Sequence, residues 1–149
     1  MERRQEMINR LRAAFYWTKG KFFFEEDNVV EALDYFRKAE KCSAEPFCDL
    51  YAHIGRCELL LSDVENSIVS NQYALSLIDS TKNYNKDEKN YMKKYVLENL
   101  VLGLRHLNQT QNLKEYESML QSIDYDEGNI KESMFFEFIL WGRKGFEFE

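Results

Sequence analysis

The chain has 149 residues, which is enough to bury one hydrophobic core. It carries 20 basic and 26 acidic residues, a formal net charge of −6. Because an acidic surface repels phosphate backbones, this charge argues against a general nucleic-acid-binding protein. With one proline, six glycines and 15% aromatic residues, the chain has few interruptions for helices. This composition predicts an all-α protein.

Cysteine usage and hydropathy bear on the compartment of the protein. The chain has three cysteines, Cys42, Cys48 and Cys57, and no two of them form a C-x-x-C motif. An odd number of cysteines without such a motif is typical of a reducing compartment. The N-terminal segment lacks the apolar core of a signal peptide, and no apolar run approaches the roughly 18–20 residues that span a bilayer. We therefore expect a cytoplasmic protein that binds no membrane.

Apolar residues recur at helical spacing, first from Met7 to Phe15, then from Val29 to Phe36, and later from Leu97 to Leu107. A residue suited to capping a helix stands three places before a glutamate at Asn28/Glu31, Ser62/Glu65, Asn85/Glu88, Asn112/Glu115 and Asn129/Glu132. Such pairs satisfy the amides at a helix start. With an N-terminal helix and one beginning near Phe47, they predict about seven helices.

A repeat-like spacing marks the first part of the chain: Tyr16, Gly20, Phe23, Ala32, Phe36 and Ala39. Small residues at Gly20 and Ala32 would let two antiparallel helices cross closely. This spacing resembles that of the tetratricopeptide repeat family, whose unit is a helix-turn-helix of about 34 residues. Only Lys19 departs from it, at a position where the family prefers leucine.

A second copy begins 35 residues later, with residues at the matching offsets: Tyr51, Gly55, Ser67 and Ala74. Glu58 and Asn71 replace the rings expected there, and a third, more degenerate copy surrounds Gly103. The resemblance implies one domain of residues 1–149, a right-handed solenoid of about three repeats at residues 13–46, 47–78 and 91–124. A polar insert would occupy residues 79–90 and a capping helix residues 129–142. The alternative is that the last four helices form a bundle.

The repeat positions assign most rings of the first unit to the core: Phe15, Tyr16, Phe22, Phe23, Tyr35 and Phe36. A further set faces the concave groove where this family binds peptides or helices: Trp17, Lys21, Phe24, Asp49, His53 and Arg56. Rings combined with cations are common interface anchors, so we predict that this set binds a protein partner. The alternative is that the long N-terminal helix or the C-terminal tail covers it.

The same face of the third repeat is too apolar to meet solvent: Leu97, Leu100, Val101, Leu104 and Leu107. We expect the last helix, around Met134, to cover it in preference to a partner. Some family members grip the acidic tails of heat-shock chaperones with Lys and Asn at set positions. Of the residues at those positions here, only Lys21 could serve, so we expect no binding of chaperone tails.

Catalytic motifs are missing from the sequence, which contains neither a glycine-rich phosphate loop nor G-x-S-x-G or H-E-x-x-H. His53 and Cys57 stand four residues apart, but two ligands without a third make a weak metal site. We therefore expect no enzyme, metal or cofactor. The leading hypothesis is a protein-binding module, such as a dedicated chaperone, an immunity protein or an assembly adaptor. The alternative is a self-associating structural protein whose apolar face closes a homodimer.

Overall fold

The computed structural model describes residues 2–132 and residue 134. These residues form six α-helices and no strand, followed by a short 3-10 helix, η1, at Glu127–Asn129. The helices are α1 (Glu2–Glu25), α2 (Val29–Cys42), α3 (Cys48–Leu60), α4 (Val64–Ile78), α5 (Lys86–His106) and α6 (Leu113–Ser122). The all-α class is therefore confirmed for this part of the chain. Most of the predicted capping helix at residues 129–142 lies outside it.

Two of the five predicted capping pairs are confirmed. Oδ1 of Asn28 accepts a hydrogen bond from the amide of Glu31 at 3.3 Å. Asn85 and Glu88 form a complete capping box at the start of α5, in which each side chain accepts from the other residue's amide. Both arrangements satisfy amides that the first turn of a helix leaves without partners.

The other three predicted capping pairs do not form, although α6 begins directly after Asn112, as predicted. α4 begins after Asp63, because Ser62 has a φ of 66° and takes part in the turn that ends α3. Asn112 precedes α6 with the same left-handed φ and makes no side-chain cap bond. Asn129 ends the short η1 helix. A capping residue needs a backbone conformation that lets its side chain reach the first turn, and the sequence pattern does not report that conformation.

The odd-numbered helices α1, α3 and α5 end in the same kind of turn. Asp27, Ser62 and Asn108 all have positive φ, between 54° and 66°. In each turn, the backbone amide of the next residue donates a hydrogen bond to the carbonyl oxygen five residues before it. The donor–acceptor distances are 2.9 Å for α1, 2.8 Å for α3 and 2.9 Å for α5. This hydrogen-bond pattern is that of a Schellman motif, which closes a helix and reverses the chain. The first two of these turns are 35 residues apart.

Neighbouring helices pack against one another in chain order, from α1 to α6. A Cβ atom on Gly20 would overlap the ring of Phe36 in α2, and one on Gly55 would overlap the side chain of Asn71 in α4. Glycine therefore permits the close approach of each helix pair. Gly103 differs, because a Cβ there would lie 3.2 Å from Ile68 of the preceding helix pair.

The buried apolar residues form two clusters. The first cluster joins α1, α2 and α3 around Phe36. The second joins α3, α4 and α5, with α6 packed on its edge. It takes in Leu97, Leu100 and Leu104, with Leu107 partly buried against it, and Val101 is also buried, so the expectation that this face avoids solvent is confirmed. Met134 is buried in the same cluster, whereas the apolar residues that follow it lie outside the described part of the chain.

The core assignment of Phe15 and Phe22 is wrong, because both side chains are more than half exposed. Phe36 is fully buried, and Phe23 stacks on Tyr35 with 5.4 Å between ring centroids. A helix offers only one side to its neighbour. Phe15 and Phe22 are seven residues apart, and both point away from α2 and α3.

The segment after α6 returns to the start of α5. The carboxylate of Asp87 accepts hydrogen bonds from the amide of Asp126 at 3.1 Å and from Nδ2 of Asn129 at 2.8 Å. Nδ2 of Asn90 donates to the carbonyl oxygen of Asp124 at 2.9 Å. These side chains tie residues 124–129 to the first turns of α5. The hydrogen bonds also lower the pKa of Asp87.

Candidate functional site

Three of the six predicted partner-binding residues meet around the imidazole of His53. The ring centroids of Trp17 and Phe24 lie 4.9 Å and 5.7 Å from it, both edge-on. Phe36 of α2 packs on the same ring at 5.4 Å, and Nδ1 of His53 lies 2.8 Å from the carbonyl oxygen of Asp49. Only 1% of His53 and 3% of Phe24 are exposed. This aromatic group joins the first helix pair to α3.

The other three predicted residues differ in exposure. Nζ of Lys21 lies 5.0 Å from the ring centroid of Trp17, within range of a cation–π interaction. The carboxylate of Asp49 accepts a hydrogen bond from the hydroxyl of Tyr84. Trp17, Lys21 and Asp49 are half-buried, whereas Arg56 is only 5% exposed. Three of the six residues thus retain surface that a partner can contact.

Arg56 begins a buried chain of polar groups that links α3, α4 and α5. Its Nη1 donates to Oδ1 of Asn99 at 2.8 Å. Nδ2 of Asn99 donates to Oδ1 of Asn71 at 3.0 Å, and Nδ2 of Asn71 donates to the carbonyl of Ser67 at 2.8 Å. Oγ of Ser67 donates to the carbonyl of Gly55 at 2.6 Å. Buried polar groups that satisfy one another in this way favour a single arrangement of the helices.

The sequence analysis did not predict these buried hydrogen bonds, although Asn71 indicated that polar groups are buried there. The residue stands where the repeat spacing predicts an aromatic ring, opposite Gly55 and one turn after Ser67. An amide on an otherwise apolar interface needs hydrogen-bond partners when it is buried. Asn99, 28 residues further along, could not be paired with it before α4 and α5 were placed side by side.

Two charged side chains of α3, Arg56 and Glu58, are buried between the helices. Burial lowers the pKa of Arg56 to about 9, and the nearby Glu98 acts in the opposite direction. The carboxylate of Glu58 accepts hydrogen bonds from Nη2 of Arg37 at 3.0 Å and from Oγ of Ser70 at 2.5 Å. Burial nevertheless raises the pKa of Glu58. Glu58 thereby connects α2, α3 and α4.

An exposed apolar stripe runs along the outer side of α1. Its members are Met7, Leu11, Phe15 and Phe22, which are 57%, 65%, 55% and 51% exposed. They follow one another at intervals of four, four and seven residues, so at 3.6 residues per turn they occupy one sector of about 80°. Gly20 and Phe24, which are buried, lie on the opposite side of the helix. We call these four residues the α1 stripe.

Basic side chains border the α1 stripe. By helical position, Arg12 and Lys19 lie along one side of it, and Arg10 and Lys21 along the other. Nζ of Lys19 lies 5.8 Å from the ring centroid of Phe15. α1 holds six basic and three acidic residues, a net charge of +3, in a chain whose net charge is −6. The α1 stripe therefore lies on a helix of net positive charge in an acidic chain.

The described residues contain neither a grouping suited to a metal ion nor a helix suited to crossing a membrane. Within residues 2–132 and 134, no three or more His, Cys, Asp or Glu side chains are grouped so that they could hold a metal ion. His53 and Cys57, the pair weighed as ligands, are both buried. None of the helices in this part of the chain combines the length and apolar character needed to cross a membrane.

Comparisons with protein-family models, curated proteins and solved structures returned no significant match to this chain.

Proposed function

We propose that this protein binds another protein and that it is built from helix pairs like those of tetratricopeptide repeats. The repeat architecture is supported by corresponding contacts 35 residues apart. Gly20 meets Phe36 as Gly55 meets Asn71, and each pair spans 16 residues. The turns after α1 and α3 recur at the same interval. A unit that repeats its contacts as well as its spacing stacks into an extended array with broad surfaces.

The α1 stripe carries the functional proposal. Four large apolar side chains, each more than half exposed, lie together on one end of the helix array. Scattered exposed apolar residues are ordinary, but contiguous apolar surface rimmed by polar groups marks interaction sites. Burying a fully exposed side chain of this size is worth about 1.5–3 kcal/mol, and roughly half of that remains to be gained for each of these residues. A partner that covers the stripe would recover this free energy.

The predicted groove residues have a smaller part in this proposal. Phe24, His53 and Arg56 stabilise the junction between helices, whereas Trp17, Lys21 and Asp49 keep partial exposure beside it. A partner seated on the α1 stripe could reach Lys21, which borders both surfaces. The proposed main contact is therefore the outer side of α1 rather than the full six-residue groove.

The test compares capture of proteins from native cell extract by the wild type and by a Leu11→Glu/Phe15→Glu variant. A matched control, Val30→Glu/Val69→Glu, places the same charges at two other exposed apolar positions. We expect a stoichiometric partner that the wild type and the control retain and the stripe variant loses. Equal retention by all three proteins, with unchanged circular dichroism, would contradict the proposal.

Self-association is the second candidate, because the same exposed stripe could close against another copy. Light scattering at micromolar concentration separates the two. A homodimer would give twice the 17.9 kDa mass of the chain and become monomeric in the Leu11→Glu/Phe15→Glu variant. A monomeric wild type leaves binding of a different protein as the function of the stripe.

A further inference from the structure

We infer that the occupant of the α1 stripe is an amphipathic helix whose polar edges are acidic. This inference rests on the proposed function, since it specifies the partner of the same surface. Two features of α1 lead to it: the spacing of its exposed apolar residues, and the sign of the charges beside them.

The spacing favours a helix as the occupant. The outer side of α1 presents residues at alternating intervals of three and four: Ile8, Leu11, Phe15, Thr18 and Phe22. This is the spacing of a coiled-coil seam, in which side chains of one helix fit between those of another. The seam covers 14 intervals of 1.5 Å, or about 21 Å, a length that four turns of a partner helix would match. Four of its five residues are apolar.

The charges favour acidic edges on that helix. In a coiled coil the residues beside the seam choose the partner. Here Arg12 and Lys19 occupy one edge and Lys21 the other, with Arg10 next to that second edge, whereas Glu2 and Glu6 lie toward the buried side of α1. Glutamates or aspartates on the partner would meet cations along both edges. Such rim charges contribute specificity and association rate more than affinity.

A second copy of the chain fits these edges poorly. Pairing two α1 helices would bring together two segments that each carry a net charge of +3. In an antiparallel pair, Arg12 of one helix would lie beside Lys19 of the other, and like charges at such positions oppose association. The charge pattern therefore favours a different protein over self-pairing.

An anionic membrane also attracts basic amphipathic helices, but the C-terminal end of α1 opposes it. Glu25, Glu26 and Asp27 are exposed and begin three residues after Phe22, so the stripe ends one turn before three carboxylates. The rest of the chain is strongly acidic, because α1 is basic within a chain of net charge −6. An anionic lipid surface would repel these three carboxylates and the acidic remainder of the chain.

The test is a selection from a displayed library of helical peptides about three heptads long, with leucine fixed at the seam and all edge positions random. The full-length wild type serves as the bait, and the Arg12→Glu/Lys19→Glu variant serves as the charge-reversed bait. We expect the wild type to enrich aspartate and glutamate at the edges. The reversed variant should bind those peptides about tenfold more weakly and enrich lysine and arginine on that edge.

Three results would overturn the inference. The first is an edge composition that does not change between the two baits. The second is equal peptide binding by the Leu11→Glu/Phe15→Glu variant, which would place the peptides elsewhere on the protein. The third is co-sedimentation of the wild type with phosphatidylserine vesicles that an enriched acidic peptide does not compete away. If extract capture is lost in the stripe variant but the library yields no acidic helix, the proposed function stands and the partner chemistry fails.

Discussion

Gly55 of α3 lies in direct contact with Asn71 of α4, at the position where Gly20 lies against the ring of Phe36 one helix pair earlier. The two contacts share a spacing of 16 residues but differ in chemistry. The first pair buries a ring, whereas the second buries an amide that reaches Asn99 of α5. The same backbone arrangement therefore gives apolar packing in one unit and a polar link to the next helix pair in the other.

Alanine substitutions at the glycines should differ in their effect on stability. A Cβ at Gly20 or Gly55 overlaps its neighbour, so each Gly→Ala change should lower the free energy of unfolding by about 1–3 kcal/mol. At Gly103 the nearest side-chain atom is 3.2 Å away, and the gain in helix propensity, about 1 kcal/mol, should offset the crowding. Urea unfolding of the three variants checks this order. Equal losses at all three positions would contradict the close helix crossings.

The chain of buried polar groups should be strongly coupled. Asn99→Ala removes one hydrogen-bond partner from Arg56 and one from Asn71, so we expect a loss of about 2–3 kcal/mol. A double-mutant cycle of Asn71→Ala with Asn99→Ala should show a coupling of about 1 kcal/mol. Additive losses would mean that the two amides act independently. Thr18→Ala, at an exposed position on α1, supplies the control.

Glu58 should give stability a particular dependence on pH. Its pKa is raised in the folded state by burial, so the folded protein binds a proton more readily than the unfolded chain. The contribution of Glu58 to stability is therefore largest at low pH and falls as pH rises above the unfolded pKa of the carboxyl group. Glu58→Gln removes this titration. We expect the stability of the variant relative to the wild type to improve between pH 4 and pH 7.

Denaturant titrations at several pH values measure that difference. A relative stability of Glu58→Gln that falls as pH rises would show that the hydrogen bonds from Arg37 and Ser70 outweigh the cost of burying the charge.

Thiol modification should distinguish the three cysteines. Cys48 and Cys57 are buried, and burial raises the pKa of Cys48 to about 12, so little reactive thiolate is present near neutral pH. Cys42, at the end of α2, is half-exposed. We expect an aromatic disulfide reagent to modify Cys42 quickly in the folded protein and the other two only after unfolding. Peptide mapping by mass spectrometry identifies the modified residue.

The sequence predicts those features that depend on neighbours along the chain. Helical spacing gave the all-α class, and Asn28 and Asn85 cap helices because their partners lie three residues away. Repeat spacing also identified Gly20 and Gly55 as close-contact positions. Each of these depends on the geometry within one helix or one helix pair.

The sequence fails where the outcome depends on which side of a helix is covered. Phe15 and Phe22 have the same ring chemistry as Phe36, yet of the three only Phe36 is fully buried. The predicted groove contained His53 and Arg56 because their positions match those of exposed residues in the family, but here they are buried. The buried polar groups are linked only when Asn71 and Asn99 lie side by side, and their positions depend on how α4 packs against α5.

The most direct test of binding through the α1 stripe is site-specific photo-crosslinking in living cells. A photoreactive benzoylphenylalanine replaces Phe15 in the stripe or, as the control, Val69 on α4, which is exposed to a similar extent. We predict one dominant crosslinked protein from position 15, different from this chain, and none of it from position 69. Identical products from both positions, no product at all, or only a crosslinked dimer of this chain would contradict the account.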